Sequence, residues 1–287
     1  MRRAASLLLL FAFVFGLTGC RQDDNSVALK VRPKRYSKVV SLSPGTTELL
    51  MAGLSMYDLK GRTAYDDWPK MSVDKVPVVA SVKPDYEKLA ALRPDLIVYD
   101  ASLFNEQDLA KLKTLGADEF KIDANDLDTF RKQVFELGSL TGKETSASDY
   151  IDKIYIAQNT AQGALPTPKP RVAVMMPSAS GDHYIAGTDS FDANMIRAVG
   201  GEPIGPAGTT FVKANPESLV ALNPDVIVVG VAKKDQSGVV ALLNDPRIKS
   251  INAIKNRKIR ALDADVLLRR GSRVDLLISG LYRAISG

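Results

Sequence analysis

Short apolar runs alternate with amphipathic stretches from residue 39 onward. Residues 39–42 read as a buried strand, residues 46–52 as a helix stopped by Gly53, and residues 59–63 as a second strand. A polar-aromatic loop, Tyr65-Asp66-Asp67-Trp68-Pro69, follows, and residues 77–81 lead into the next unit. Residues 103–115 read as a helix closed by Gly116, with a further strand over 119–122. Glu48 is expected in the first turn of its helix, where a carboxylate suits the positive end of the dipole. This β-α-β order predicts an open parallel sheet.

The alternation contains a repeat. Residues 86–101 read YEKLAALRPDLIVYDA and residues 216–231 read PESLVALNPDVIVVGV, with eight of sixteen positions identical. Each copy is a short helix, a Pro-Asp break and a β-branched apolar run, which is a helix feeding a buried strand. Asp85 can cap the first helix and Asn215 the second, with Pro216 at the first helical position. Two copies about 130 positions apart suggest two similar lobes, since a solenoid needs at least three closely spaced repeats.

Between the copies the pattern turns helical. Residues 126–140 and 143–164 are two helical runs broken by Thr141-Gly142, and Ala147, Tyr150, Ile151, Ile154, Ala157 and Ala161 form one apolar stripe. Pro166, Pro168 and Pro170 end the second run, and residues 171–176 open another α/β series. Helices are expected over 190–199, 237–244 and 273–285. The expected fold is α/β: two similar α/β lobes with mainly parallel sheets, bridged by one long helix that acts as a stiff connector. The expected boundaries are 39–125 for the N-terminal lobe, 126–170 for the helical connector and 171–287 for the C-terminal lobe.

The first twenty residues carry a positive start at Arg2 and Arg3, an apolar run over 6–17, and Leu17-Thr18-Gly19-Cys20. The run is too short for a span of about 20 residues and reads as a signal peptide over 1–20. Its end resembles a bacterial lipobox, which implies lipid modification of Cys20, the single cysteine of the chain. A membrane-anchored protein facing the periplasm or the extracellular side is expected, since several acyl chains anchor far better than one.

The net charge of +5 changes little in this picture. Residues 1–38 carry a net +6, which leaves the remainder at −1, so the basic stretch 21–38 is a tether and no basic footprint for nucleic acid exists. Enzyme constellations are also missing. His183 is the single histidine, no Gly-x-Gly-x-x-Gly follows a strand, and no Walker A motif is present. No catalytic residue, resident metal or cofactor is expected.

Several segments together resemble the substrate-binding proteins of ABC importers for vitamin B12, haem and ferric siderophores. They are Val39-Val40-Ser41-Leu42-Ser43-Pro44-Gly45-Thr46-Thr47-Glu48, Tyr65-Asp66-Asp67-Trp68-Pro69, and Glu87-x-Leu-x-x-Leu-x-Pro94-Asp95-Leu-Ile-Val. Leu137-Gly138-x-Leu140-x-Gly142 and Arg270-Gly271-Ser272-Arg273 complete the set. The resemblance covers nearly all of residues 39–285. It implies a monomer that captures a metal chelate and passes it to a permease dimer, with no chemical change to the cargo.

It also implies that Glu87 and Glu217, one per lobe and away from the cleft, pair with permease arginines. The bland alternative is that each carboxylate only stabilises its helix by about 0.3–1 kcal/mol. The ligand is expected between the lobes, at the carboxyl ends of the strands. That selects Ser43, Pro44, Tyr65, Trp68, Lys83, Tyr99, Asp100 and Phe104 on one side. The facing side offers Met176, His183, Tyr184, Phe191, Phe211 and Arg269, with His183 more easily a solvated turn residue than a metal ligand. The aromatic, little-charged wall favours a corrinoid over a ferric siderophore or haem. A lipid-anchored enzyme or cofactor-assembly factor on the same fold is the alternative from another class.

Overall fold

The computed structural model describes residues 35–162, 167–232 and 235–287. The signal peptide, nearly all of the tether and Cys20 lie outside the described residues. Residues 33–287 cluster as one unit, and two sheets run through it.

The first sheet is built from β1 (Val39–Ser41), β2 (Leu59–Thr63), β3 (Val78–Ala80), β4 (Leu96–Asp100) and β5 (Asp118–Ile122). Its order is β3-β2-β1-β4-β5, and every pairing is parallel. Helices α1 (Pro44–Leu49), α2 (Lys70–Val73), α3 (Tyr86–Leu92) and α4 (Glu106–Lys113) connect these strands. Two long helices follow, α5 (Leu127–Thr141) and α6 (Glu144–Gln162), separated by Gly142 at φ 68°, the left-handed region that glycine enters without penalty.

The second sheet takes β6 (Arg171–Met176), β7 (Tyr184–Ala186), β8 (Glu202–Pro203), β9 (Phe211–Lys213), β10 (Val226–Val231) and β11 (Ile259–Asp263). Its order is β11-β10-β6-β7-β9, with β8 pairing β6. The second sheet is mainly parallel, as expected, with an antiparallel part where β7 runs against both β6 and β9. The remaining helices are α7 (Phe191–Ala198), α8 (Pro216–Leu222), α9 (Ser237–Asn244), α10 (Asn252–Lys255), α11 (Ala264–Leu268) and α12 (Val274–Ser286). Among the described residues no helix is long and apolar enough to cross a membrane.

Both repeat copies form the same local structure, and the Pro-Asp break has a defined task in each. Asp95 takes the Ser37 and Lys38 amide protons at 2.8 and 2.9 Å, just before β1. Asp225 takes the Arg171 amide proton at 3.2 Å, at the start of β6. In both places an aspartate entering its strand ties down the neighbouring parallel strand and helps fix its register.

The two sheets share one apolar core. It runs from Leu96 and Val98 through Phe130 and Val134 of α5, Ile154 of α6 and Leu277, Ile278 and Leu281 of α12 to Val172 and Val174 of β6. Phe130 meets Phe191 of α7 edge-on at 5.7 Å between ring centroids. The long helix α6, expected as a stiff connector, lies packed against both α5 and α12.

Candidate ligand-binding site

The chain leaves β1 toward β2 and leaves β4 toward β5, so the loops after β1 and β4 diverge and open a crevice at the carboxyl ends of the first sheet. Ser43 bridges it. Its buried Oγ accepts the Asp100 amide proton at 3.0 Å and shares a hydrogen bond with Thr46 Oγ1 at 2.6 Å. The segment 269–273 of the second half enters the same crevice, and Gly45 permits the approach: a Cβ there would stand 2.8 Å from the Arg270 carbonyl oxygen.

Three arginines on that segment meet three carboxylates of the first half. Arg270 Nη1 donates to Asp100 Oδ1 and Oδ2 at 3.1 and 2.9 Å, and its Nη2 donates to Asn125 Oδ1 at 3.3 Å. Arg269 Nη1 donates to Glu48 Oε1 at 3.2 Å and Asp67 Oδ1 at 2.5 Å, and Nη2 donates to the Tyr65 carbonyl at 3.3 Å. Arg273 grips Glu48 twice, Nε to Oε2 at 3.1 Å and Nη2 to Oε1 at 2.6 Å, while its guanidinium lies 5.2 Å from the Trp68 ring centroid. Burial pushes the Asp67 carboxyl up, but the Arg269 hydrogen bond and charge outweigh it and hold Asp67 below the usual carboxylate range.

Glu48 corrects the sequence reading. The helix starts at Pro44, so Glu48 lies past its first turn, and at 1% exposure it is a buried anion closed by two guanidinium groups. Removing one partner of such a pair costs about 3–5 kcal/mol, because the other charge stays buried.

Two cavities flank the arginine bridge. One, of about 340 Å³, sits at the ends of β1, β2 and β3 and is lined by Leu42, Pro44, Thr63, Tyr65, Lys83 and Phe104 among others. The other, of about 210 Å³, lies between the halves and is lined by Ser102, Phe191, Asp192, Thr209, Thr210, Phe211, Leu268 and Arg270. Consecutive residues join them, since Ser102 lines one while Leu103 and Phe104 line the other.

The expected cleft residues divide. Pro44, Tyr65, Lys83 and Phe104 line the first cavity, and Phe211 and Phe191 line the second. Asp100 and Arg269 belong to the bridge, and Trp68, 43% exposed, stands on its rim against Arg273. Ser43 is buried and holds the crevice together without lining either cavity. Tyr99 is a correction: its neighbour Asp100 faces the bridge, so alternation turns Tyr99 into the outer core with Ile97 and Leu89. Its hydroxyl donates to Glu119 at 3.0 Å, and burial first, then that partner, push its pKa up to about 12.

His183 is a second correction. It is buried at 3% exposure, its Nδ1 accepts the Ser178 amide proton at 3.1 Å, and burial pulls its pKa below the usual value. It is not a solvated turn residue and reaches neither cavity. Met176 lines a separate pocket at the ends of β6 and β10, and Tyr184 is exposed at the start of β7. Glu87 and Glu217 are both exposed in the first turns of α3 and α8. The expectation that they lie away from the cleft needs amending for Glu87. Its helix starts at the carboxyl ends of the strands, and Lys83 and Pro84 just before it line the first cavity. Sequence reasoning missed Asp192, hidden behind the Ser190 cap as an ordinary helix-start residue.

Comparison with known proteins gives concordant matches. The family model described as periplasmic binding protein matches residues 39–266. An uncharacterised ABC transporter substrate-binding lipoprotein of Bacillus subtilis, YvrC, is 28% identical over 270 residues, covering 91% of this chain and 82% of that protein. The high-affinity haem uptake system protein IsdE of Staphylococcus aureus is 23% identical over 234 residues, covering 79% and 77%. The solved periplasmic vitamin B12 binding protein BtuF of Vibrio cholerae superposes with a TM-score of 0.73 at 20% identity, over 87% of this chain and 96% of that one, a likeness of fold.

Proposed function

The chain belongs to the periplasmic binding protein family, and on that premise we propose that it is the substrate-binding component of an ABC importer, delivering a metal-chelate nutrient. The favoured cargo is a corrinoid. The observation that carries this reading is the occupied state of the bridge. All three arginines that reach the crevice are held by carboxylates of the protein itself, so they offer little to a ligand edged with carboxylates. What remains for the ligand is mostly aromatic and apolar wall, which suits a large macrocycle with a neutral rim.

A second reading, haem or a ferric siderophore, draws on Tyr65. Its side chain is 57% exposed and lines the first cavity, where its phenol oxygen is available to an iron centre. Delivery would use Glu87 and Glu217 as paired anionic contacts for permease arginines, fixing orientation and speeding encounter more than adding affinity. The anchor would be lipid on Cys20, outside the described residues; a Cys20→Ser protein is expected to leave the detergent phase on partitioning, and persistence there would remove the lipoprotein reading.

The direct test titrates purified protein with cyanocobalamin, haemin and a ferric siderophore while following Trp68, the single tryptophan. Saturable quenching by cyanocobalamin is expected. Saturation by haemin with no response to cyanocobalamin would shift the assignment to the second reading. Absorption and native mass spectra of protein purified from its own host would identify the cargo independently.

A further inference from the structure

The amino edge of the first sheet carries a groove of its own. Lys38 stands just before β1, Leu59 opens β2, Pro77 stands just before β3, and Leu92 ends α3. Every strand of this sheet is parallel, so these residues gather at the edge opposite the 340 Å³ cavity. They line an open groove of about 640 Å³, with apolar walls and three cations, Lys38, Lys60 and Lys75. Lys38 and Lys75 are exposed, and Lys60 Nζ donates to the Tyr57 carbonyl at 2.7 Å. Tyr57 itself is 82% exposed and Met56 36%, in the turn that leads to β2. The carboxylates nearby are mostly engaged. Asp74 pairs with Arg62 at 3.7 Å, Asp95 holds the Ser37 and Lys38 amides, and Asp118 accepts from the Tyr36 hydroxyl at 2.5 Å. Asp58, just before Leu59, is the acid left to offset the lysines, and exposed Arg93, next to Leu92, adds a further cation.

We propose that this edge is where the anchored protein rests on its own membrane, with Lys38, Lys60 and Lys75 against anionic lipid headgroups and Tyr57 and Met56 at the interface. The proposal rests on the anchored reading above. Lysine stems lie along apolar wall while their ammonium groups reach for phosphate, and a tyrosine suits the headgroup level with its apolar body and polar tip. Other occupants fit worse. Residues 21–34 carry Arg21, Lys30, Arg32 and Lys34 against Asp23 and Asp24, so the chain's own tether would bring like charge to the groove. A second copy meeting this one through the same face would set lysines on lysines. The path of the chain agrees, because the described structure begins at Arg35, three residues before Lys38. Cys20 lies 15 residues earlier, a reach of at most about 50 Å at full extension. Resting on this edge turns the opposite one outward, so the ligand cavity and Glu87, at the head of α3, point away from the leaflet. Capture and delivery would then use opposite orientations of one tethered body.

The test uses the chain from residue 21 onward, without lipid, and vesicles of phosphatidylcholine with and without phosphatidylglycerol. Because the assay needs no anchor, it and the Cys20→Ser partition test can fail separately. Wild type is expected to cosediment with the anionic vesicles alone, and less as salt rises. A lysine near an anionic surface is worth about fivefold in partitioning, so changing Lys38, Lys60 and Lys75 together to Gln should weaken binding at least about tenfold. Changing Lys132, Lys153 and Lys255 to Gln removes the same charge from α5, α6 and α10 and should stay within about threefold of wild type. The Lys38→Gln, Lys75→Gln double variant spares the Lys60 hydrogen bond; it should melt like wild type and still lose about fivefold or more. Equal weakening by the two triple variants would leave only net charge and overturn the proposal. So would a wild type that ignores anionic vesicles. Unchanged vesicle binding by the first triple variant, with residues 21–34 newly open to protease or a dimer lost on sizing, would give the groove to the tether or to a second copy and overturn it as well.

Discussion

Asp85 Oδ1 accepts the Lys88 amide proton at the head of α3, and Asn215 Oδ1 accepts the Ser218 amide proton at the head of α8, at 3.1 and 2.7 Å. Leu89 and Leu219 are buried at 0% and 1%, Arg93 and Asn223 end their helices at φ 50° and 40°, and Asp95 and Asp225 hold the neighbouring strand. The two repeat copies thus agree from helix head to strand start. They part at the strand's carboxyl end, where one has Asp100, paired with Arg270, and the other has Gly230, which leaves room for Met176. Local hydrogen bonding fixes one end of the unit, while the end that meets the cleft is free to carry different chemistry.

The largest effect should come from the end the copies share. Changing both Glu87 and Glu217 to Arg should reduce uptake through the cognate importer to background, because two attractive contacts become repulsive. Ligand affinity should stay within about twofold, since neither side chain lines a cavity, and stability should fall by about 0.3–1 kcal/mol per helix. Near wild-type transport in the double mutant would reduce both glutamates to helix-terminus residues.

The divergent end should answer unequally. Asp100→Ala strips a mostly buried ion pair and should cost about 3 kcal/mol in denaturant unfolding. Gly230→Ala sets a Cβ 2.5 Å from the Met176 sulfur, which can swing away, and should cost about 1 kcal/mol. Equal costs would mean that the two strand ends do not differ as described.

The helix ends offer a finer contrast. Arg93 occupies a left-handed position at some strain, so Arg93→Gly should raise stability by about 0.5–1 kcal/mol. Asn223 tolerates that conformation and its Oδ1 accepts the Asn252 amide proton at 2.8 Å, so Asn223→Gly should lower stability by about 1 kcal/mol. Thermal melts of the two variants should move in opposite directions.

The smallest effect is acid-dependent. The Lys88 amide and then the Lys88 side chain hold the Asp85 carboxyl below its ordinary value. Its stabilisation is present above the unfolded pKa of about 4 and is lost as pH falls through the lower folded value. Asn215 has no such transition. The Lys88 amide resonance should therefore shift below about pH 4 while that of Ser218 stays in place.

The parts legible from sequence were those settled by near neighbours. Caps, Pro-Asp breaks and β-branched runs act within a few residues, and the repeat made them visible twice. Glu48 was misread because its partners Arg269 and Arg273 lie 221 and 225 positions away. The strands β7 and β9 are three residues each, too short for their alternation to register. Tyr99 and Asp100 could not both face the cleft, and the period of two in a strand already held that information. His183 depends on the loop at Ser178 folding over it, and Asp192 on a cavity that only the assembled halves enclose.

The shared core also bears on the order in which the protein can come into being. Synthesis delivers the first sheet and α6 well before α12, yet Val274, Leu277, Ile278 and Leu281 of α12 complete the layer on which both sheets rest. Until they arrive, the face of α6 around Ile154 has no cover, and the hydroxyl of Tyr150 lacks both the Gly271 carbonyl and the Val274 amide. Such long-range closure ties the completed core to residues near 280 and is of the kind that slows folding. The shared core is closed only by α12, after every strand of both sheets has been made.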